Sequence, residues 1–190
     1  MTKHNKTFFI VLLTFVFVAG MVIALRPLIR VTPAVHIDYQ DTVMHYAKKY
    51  SLDPALVFAV IKTESNFDPL AHSNKDAYGL MQITEDTLNW ALFRENKGLS
   101  YTTADLYDPK INIKYGCLIL SLLLEEFEDT DTALAAYNAG RSNVLDWLKD
   151  TRYSNNGTTI VNTPYEETNR YVEKVRKNKN KYQEMLGERT

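Results

Sequence analysis

Two Asp-Pro pairs, each opening a run of apolar residues at helical spacing, set the tightest limit on what this chain can fold into. Asp53 and Pro54 precede Leu56, Val57, Val60 and Ile61; Asp108 and Pro109 precede Ile113, Cys117, Leu120, Leu124 and Phe127. A short acidic side chain suits an N-cap, and proline suits the first helical position because it needs no hydrogen-bond acceptor there. The spacing predicts helices over 54–64 and 109–128. A first helix is expected over about 38–50, with Val43, Tyr46, Ala47 and Tyr50 on one side. Another should begin near Gly79 or after Thr84. A short Ala-rich helix over 132–139 ends at Gly140, a natural left-handed cap. Further helices are expected over 142–148 and from Pro164 to about Met185, after a polar loop over 152–163. Alternation at period two is nearly absent; the one stretch that admits a short strand or hairpin is 157–161. The fold class is all-α with a single core.

The run 8–25 carries no charge and is dominated by Phe, Val, Leu and Ile. It is about long enough to cross a hydrocarbon core as a helix. A cleavable signal peptide is the alternative, with Val22-Ile23-Ala24 as a poor cleavage site. The expected organisation is a cytoplasmic N-terminus over 1–7, a single-pass anchor over 8–25, a linker over 26–36 containing Pro27 and Pro33, and an extracytoplasmic domain over 37–190. The formal net charge of -1 gives no electrostatic case for nucleic acid. Lys174 to Lys181 is basic and reads as a solvated helix face. The lone Cys117 excludes an intrachain disulfide and reads as a small core residue. His4, His36, His45 and His72 lack the spacing of a metal site.

Glu64 is the residue that points to chemistry. Val57, Val60 and Ile61 precede it by seven, four and three residues, so it continues an apolar stripe and should face packed interior or a cleft wall. Lost hydration there favours the neutral carboxyl, and so does the nearby helix C-terminus. A glutamate with a raised pKa can serve as a general acid near neutral pH. The plain alternative is a frayed helix end with Glu64 in water.

Three other segments read oddly as structure alone: Ser73-Asn74-Lys75-Asp76-Ala77-Tyr78-Gly79-Leu80-Met81-Gln82-Ile83-Thr84, Ala135-Ala136-Tyr137-Asn138-Ala139-Gly140, and Pro164-Tyr165-Glu166-Glu167-Thr168-Asn169-Arg170-Tyr171-Val172. Each has an ordinary explanation. Gly79 can be a simple turn, Gln82 a partly exposed helix residue, Tyr137 and Tyr171 core, and Glu166 and Glu167 favourable charges at a helix start.

In kind, order and spacing, these segments together with Glu64-Ser65 resemble the soluble lytic transglycosylase family of peptidoglycan enzymes (glycoside hydrolase family 23, with goose-type lysozyme as a distant relative). Asn112, Ile113 and Gly116 resemble that family's Asn-Ile-x-x-Gly helix. The resemblance spans about 39–182. It implies a lysozyme-like helical domain with a groove for glycan strands, and no metal or cofactor. It makes Glu64 the catalytic acid. It matches Ser73 to the hydroxyl that meets the sugar N-acetyl group, Gln82 to the motif amide, Tyr137 and Asn138 to a groove-lining pair, and Glu167 and Tyr171 to the acidic and aromatic positions of the last motif. Asp76 and Glu85 depart from the family pattern, and extra negative charge there would raise the pKa of Glu64 further or alter substrate preference.

Ordinary glycoside hydrolysis uses two carboxylates. Asp68, Asp76, Glu85 and Glu167 are the candidate partners of Glu64. The resemblance implies a route with one: Glu64 protonates the oxygen linking N-acetylmuramic acid to N-acetylglucosamine, the substrate N-acetyl oxygen stabilises the developing charge, and the ionised Glu64 then deprotonates the muramyl C6 hydroxyl to close a 1,6-anhydro ring. A muramidase on the same scaffold and a non-catalytic peptidoglycan-binding scaffold are the alternatives.

Overall fold

The computed structural model describes residues 38–187; the expected anchor and linker lie outside them. Helices dominate, as the Asp-Pro pairs predict. They are α1 (Gln40–Lys49), α2 (Pro54–Glu64), α3 (Glu85–Glu95), α4 (Pro109–Phe127), α5 (Thr130–Ala139), α6 (Arg141–Trp147) and α7 (Glu166–Gly187), with a 3-10 turn over Thr103–Tyr107. None of these helices is long and apolar enough to cross a membrane. Asp53 caps α2 by accepting from the Ala55 N–H at 2.9 Å, and Asp108 caps α4 by accepting from Lys110 and Ile111 at 2.8 and 3.0 Å.

Helix α2 is the centre of the domain. Every residue from Ala55 to Ile61 is buried, so the helix is enclosed on all sides rather than along one stripe. Its most extensive helix contact is with α7. There Phe58 stacks on Tyr182 at 5.3 Å, and the Asn178 amide donates to the Thr63 hydroxyl at 3.1 Å. Helix α4 supplies the second buried spine through Ile113, Cys117, Leu120 and Phe127.

The only strands among the described residues are β1 (Ala77–Tyr78) and β2 (Ile83–Thr84), an antiparallel pair with Ala77 opposite Thr84. The sequence suggested a strand at 157–161 instead, and that segment is a loop. The Asn156 side-chain oxygen accepts from the N–H groups of Thr158 and Thr159, and the Ser154 hydroxyl accepts from Gly157. Side chains thus take the donors a ladder would need. Thr84 caps α3, so of the two expected starts the later is correct. Helix α7 begins at Glu166 rather than Pro164, with the Tyr165 carbonyl accepting from Thr168 and Asn169.

Candidate active site

Glu64 is the last residue of α2. Because that helix is sheathed in protein, its end opens into a groove rather than into bulk water. Burial pushes the Glu64 carboxyl up to about 7. The Tyr171 hydroxyl and the Lys75 ammonium act against that rise, and the Glu167 carboxylate adds to it. Neither Asp76 nor Glu85 is among the charges acting on Glu64. Asp76 instead accepts from His72 Nε2 at 3.1 Å, and Glu85 is an exposed residue of the first turn of α3.

The turn beside Glu64 is fixed by three features of the sequence. Gly79 has φ 73°, and a Cβ there would lie 2.3 Å from both the Asn112 amide nitrogen and the Leu106 carbonyl. Asn112, fully buried on α4, accepts from Met81 N–H and donates to the Tyr78 and Leu106 carbonyls, each at 2.8 Å. Gly116, one turn further along α4, leaves the space that Met81 fills; a Cβ there would lie 2.2 Å from its sulfur. From the other side, the Ser65 hydroxyl reaches the Leu80 carbonyl at 2.8 Å. The end of α2 and the turn are therefore one rigid unit. Gln82 completes that turn in a left-handed conformation, φ 49°, and is not helical. Its amide nitrogen donates to the Gly79 and Ala71 carbonyls at 2.9 and 3.2 Å, which leaves its oxygen free as an acceptor.

Two groove segments, of about 530 and 700 Å³, meet at Glu64, Ser73 and Gln82. Ser73, Gln82, Tyr137, Asn138 and Glu167 line the first of them together with Glu64. The Ser73 oxygen accepts from the Lys75 and Ala77 N–H groups at 3.3 Å, so its own hydrogen remains available to a ligand. The Tyr137 hydroxyl donates to the Met81 carbonyl at 2.8 Å, and the Asn138 oxygen accepts from the Thr168 hydroxyl at 2.9 Å. Glu167 pairs with Lys75 at 3.1 Å. Tyr171 is placed differently: it is buried and lines neither segment. Its hydroxyl makes no hydrogen bond of regular geometry, yet faces Glu64 closely enough to favour the ionised carboxyl. Of Asp68, Asp76, Glu85 and Glu167, only Glu167 lines the groove, joined by Asp86 from the first turn of α3.

A sequence model of the transglycosylase SLT domain matches residues 41–160. The chain belongs to that family. The membrane-bound lytic murein transglycosylase C of Shigella sonnei (strain Ss046) is 30% identical over 160 residues, covering 72% of this chain and 44% of that protein. An inactive mutant of the lytic transglycosylase Slt of Pseudomonas aeruginosa superposes with a TM-score of 0.69 at 31% identity, over 80% of this chain and 25% of that one. The 70 kDa soluble lytic transglycosylase of Escherichia coli gives 0.71 at 25% identity over the same shares. A complex of the 70 kDa soluble lytic transglycosylase with bulgecin A gives 0.70. This chain spans less than half the length of these relatives. The fold is the mostly helical, lysozyme-like arrangement of the SLT family.

Three contributors to this SLT site escaped the sequence reading as site residues. Lys75 carries no motif signal beyond its place in the loop. Asn112 and Gly116 were visible as a helix motif, but only the close approach of the 79–82 turn gives them a role. Lys174, Lys177 and Lys181, which border the second groove segment, are exposed, in keeping with the solvated helix face that the sequence suggested.

Proposed function

We propose that this SLT domain is a peptidoglycan lytic transglycosylase of glycoside hydrolase family 23. It cleaves the β-1,4 bond between N-acetylmuramic acid and N-acetylglucosamine and leaves a 1,6-anhydro-muramyl end. One observation carries the proposal: a carboxyl pushed up to about 7 stands where two groove segments join. At that value Glu64 is about half protonated at neutral pH, which suits a group that must give a proton and then take one.

In this reading Glu64 donates to the glycosidic oxygen and the bond to the muramyl anomeric carbon breaks. The N-acetyl carbonyl oxygen of the same sugar supports the positive charge. Ser73, with its free hydroxyl hydrogen, and the unbonded amide nitrogen of Asn138 are the donors suited to orient such carbonyls. Gln82 offers an acceptor to a sugar hydroxyl or amide, and Tyr137 gives an apolar face. Ionised Glu64 then removes the C6 hydroxyl proton, and that oxygen bonds to the anomeric carbon. Tyr171 favours the carboxylate and so assists the first step, in which Glu64 gives up its proton. Glu167 is engaged with Lys75, which weakens the case for it as the base of a hydrolytic mechanism.

Bulgecin A, bound by the 70 kDa relative, is a candidate ligand of the same groove. A single-pass anchor over 8–25 with the domain outside the cytoplasm completes the proposal. The uncharged apolar run and the membrane-bound name of the Shigella relative support it. Mass spectrometry of digested sacculi tests the reaction. Anhydro-muramyl ends are expected; reducing muramyl ends would identify a muramidase, and tight binding without product a scaffold.

A further inference from the structure

Helix α3 walls the first groove segment with Asp86, Thr87 and Trp90, yet only two of its residues, Leu88 and Ala91, are buried. It packs chiefly on α4 and β2. Its far end is fastened by a charged cluster that the mechanism does not use. Glu95, the last residue of α3, has a side chain only 7% exposed. One carboxylate oxygen accepts from Lys114 Nζ and from the Tyr115 hydroxyl, each at 3.0 Å, and the other accepts from Lys97 Nζ at 2.9 Å. Burial alone would raise that carboxyl, but the hydrogen bonds from Lys97, Lys114 and Tyr115 bring it down to about 2. A carboxylate in the last turn of a helix is opposed by the macrodipole, and apolar packing would fasten the helix as firmly. The cluster adds direction instead: three donors converging on one side chain fix the rotation of α3.

Trp90 and Glu95 are separated by about 140° round the helix and about 7.5 Å along it. Glu95 turned toward α4 therefore leaves Trp90 turned toward the groove. Lys114 and Tyr115 lie on the same stretch of α4 as Asn112 and Gly116, which hold the 79–82 turn beside Glu64. That stretch thus carries both the catalytic end of the groove and the helix that walls it. Resting on the function proposed above, we propose that Glu95 is a positioning residue: through Lys114 and Tyr115 it sets the rotation of α3, and so the place at which Trp90 meets a glycan strand bound at Glu64. Glu95 itself lines neither groove segment and is not among the charges that act on Glu64.

The test uses the full chain and soluble glycan strands freed of their peptide stems. Glu95→Leu/Lys114→Met/Tyr115→Phe removes the cluster without orphaning a buried partner, so its denaturant midpoint should stay close to the parent's. KM should nevertheless rise on the order of tenfold, within the scale of a small displacement. The kcat and the alkaline fall of the pH profile should stay in place, because only binding common to the ground and transition states is lost. Strand binding measured with Glu64→Gln added should weaken by the same factor. A purely structural role would lower the midpoint and leave KM of the folded protein unmoved. Glu95→Gln, which keeps the volume and one acceptor oxygen, should give a smaller rise in KM and carries the test if the triple variant does not fold. A folded triple variant with the parent's KM and binding overturns the inference, as does a loss of kcat at unchanged KM, a displaced alkaline fall, or an unfolded triple beside an unchanged KM in Glu95→Gln. Absence of product from the parent protein, with binding weakened by the variants as expected, would instead count against the lytic reaction.

Discussion

Lys75 and Glu167, 92 residues apart in the chain, meet at 3.1 Å on the rim of the groove that holds Glu64. Both are largely exposed, so the pair itself adds little stability. Its consequence lies in the opposite signs with which the two charges act on Glu64. Removing the negative partner with Glu167→Gln should lower the Glu64 pKa, and removing the positive one with Lys75→Met should raise it. In the proposed mechanism glycosidic cleavage needs Glu64 protonated, so activity should fall as pH rises through that pKa. The alkaline fall of the kcat/KM profile should move to lower pH in Glu167→Gln and to higher pH in Lys75→Met. Displacement of both profiles in the same direction would show that the charges do not act through Glu64.

Tyr171→Phe removes the hydroxyl that favours the Glu64 carboxylate while keeping the ring buried. The alkaline fall should move upward, and the domain should stay folded. A core role alone would leave the pH profile in place, so the profile separates the two roles of this residue.

Glu64 should also cost the fold stability at high pH. Its carboxyl is raised from 4.5 to about 7, so the folded state binds the proton more tightly than the unfolded chain. The resulting stabilisation is fully present below about pH 4.5 and is lost as pH rises through about 7. The span corresponds to about 3 kcal/mol as an upper figure. Glu64→Gln, neutral throughout, should therefore be more stable than the parent protein at pH 8 and nearly equal to it at pH 4. Urea unfolding at the two pH values measures the difference.

The turn 79–82 should be sensitive to changes on α4. Asn112→Ala orphans a buried N–H and takes the donor away from two carbonyls, at a cost of about 3 kcal/mol or more. Gly116→Ala forces Met81 aside, because its sulfur, Cβ and Cε would all lie within 2.8 Å of the new methyl; about 1–3 kcal/mol is expected. Denaturant midpoints check both. Neither side chain touches the groove, so activity lost beyond the unfolded fraction would report displacement of Gln82.

These sensitivities mark where the sequence was legible. Local signals carried the helices: Asp53 and Asp108 cap where their Asp-Pro pairs predict, and Gly140 ends α5. Glu64 was found through an apolar periodicity, although α2 turns out to be buried all round, so its enclosure comes from α7 and α1 rather than from one face. The hairpin at 77–84 was missed because two-residue strands have no period to detect, and its register is set by Asn112 from far along the chain. Lys75 was missed for a related reason. Whether a surface charge is neutralised depends on partners such as Glu167, Asp53 and Asp131, which only the folded chain brings near.

The rate at which purified Glu64→Gln protein releases muropeptides from sacculi bears most directly on the role of Glu64. Gln keeps the volume of the side chain and removes its proton. Release should fall roughly 100- to 10,000-fold with the circular dichroism spectrum unchanged, the span expected for loss of a general acid. Release at the parent rate would contradict the assignment of Glu64 as the proton donor.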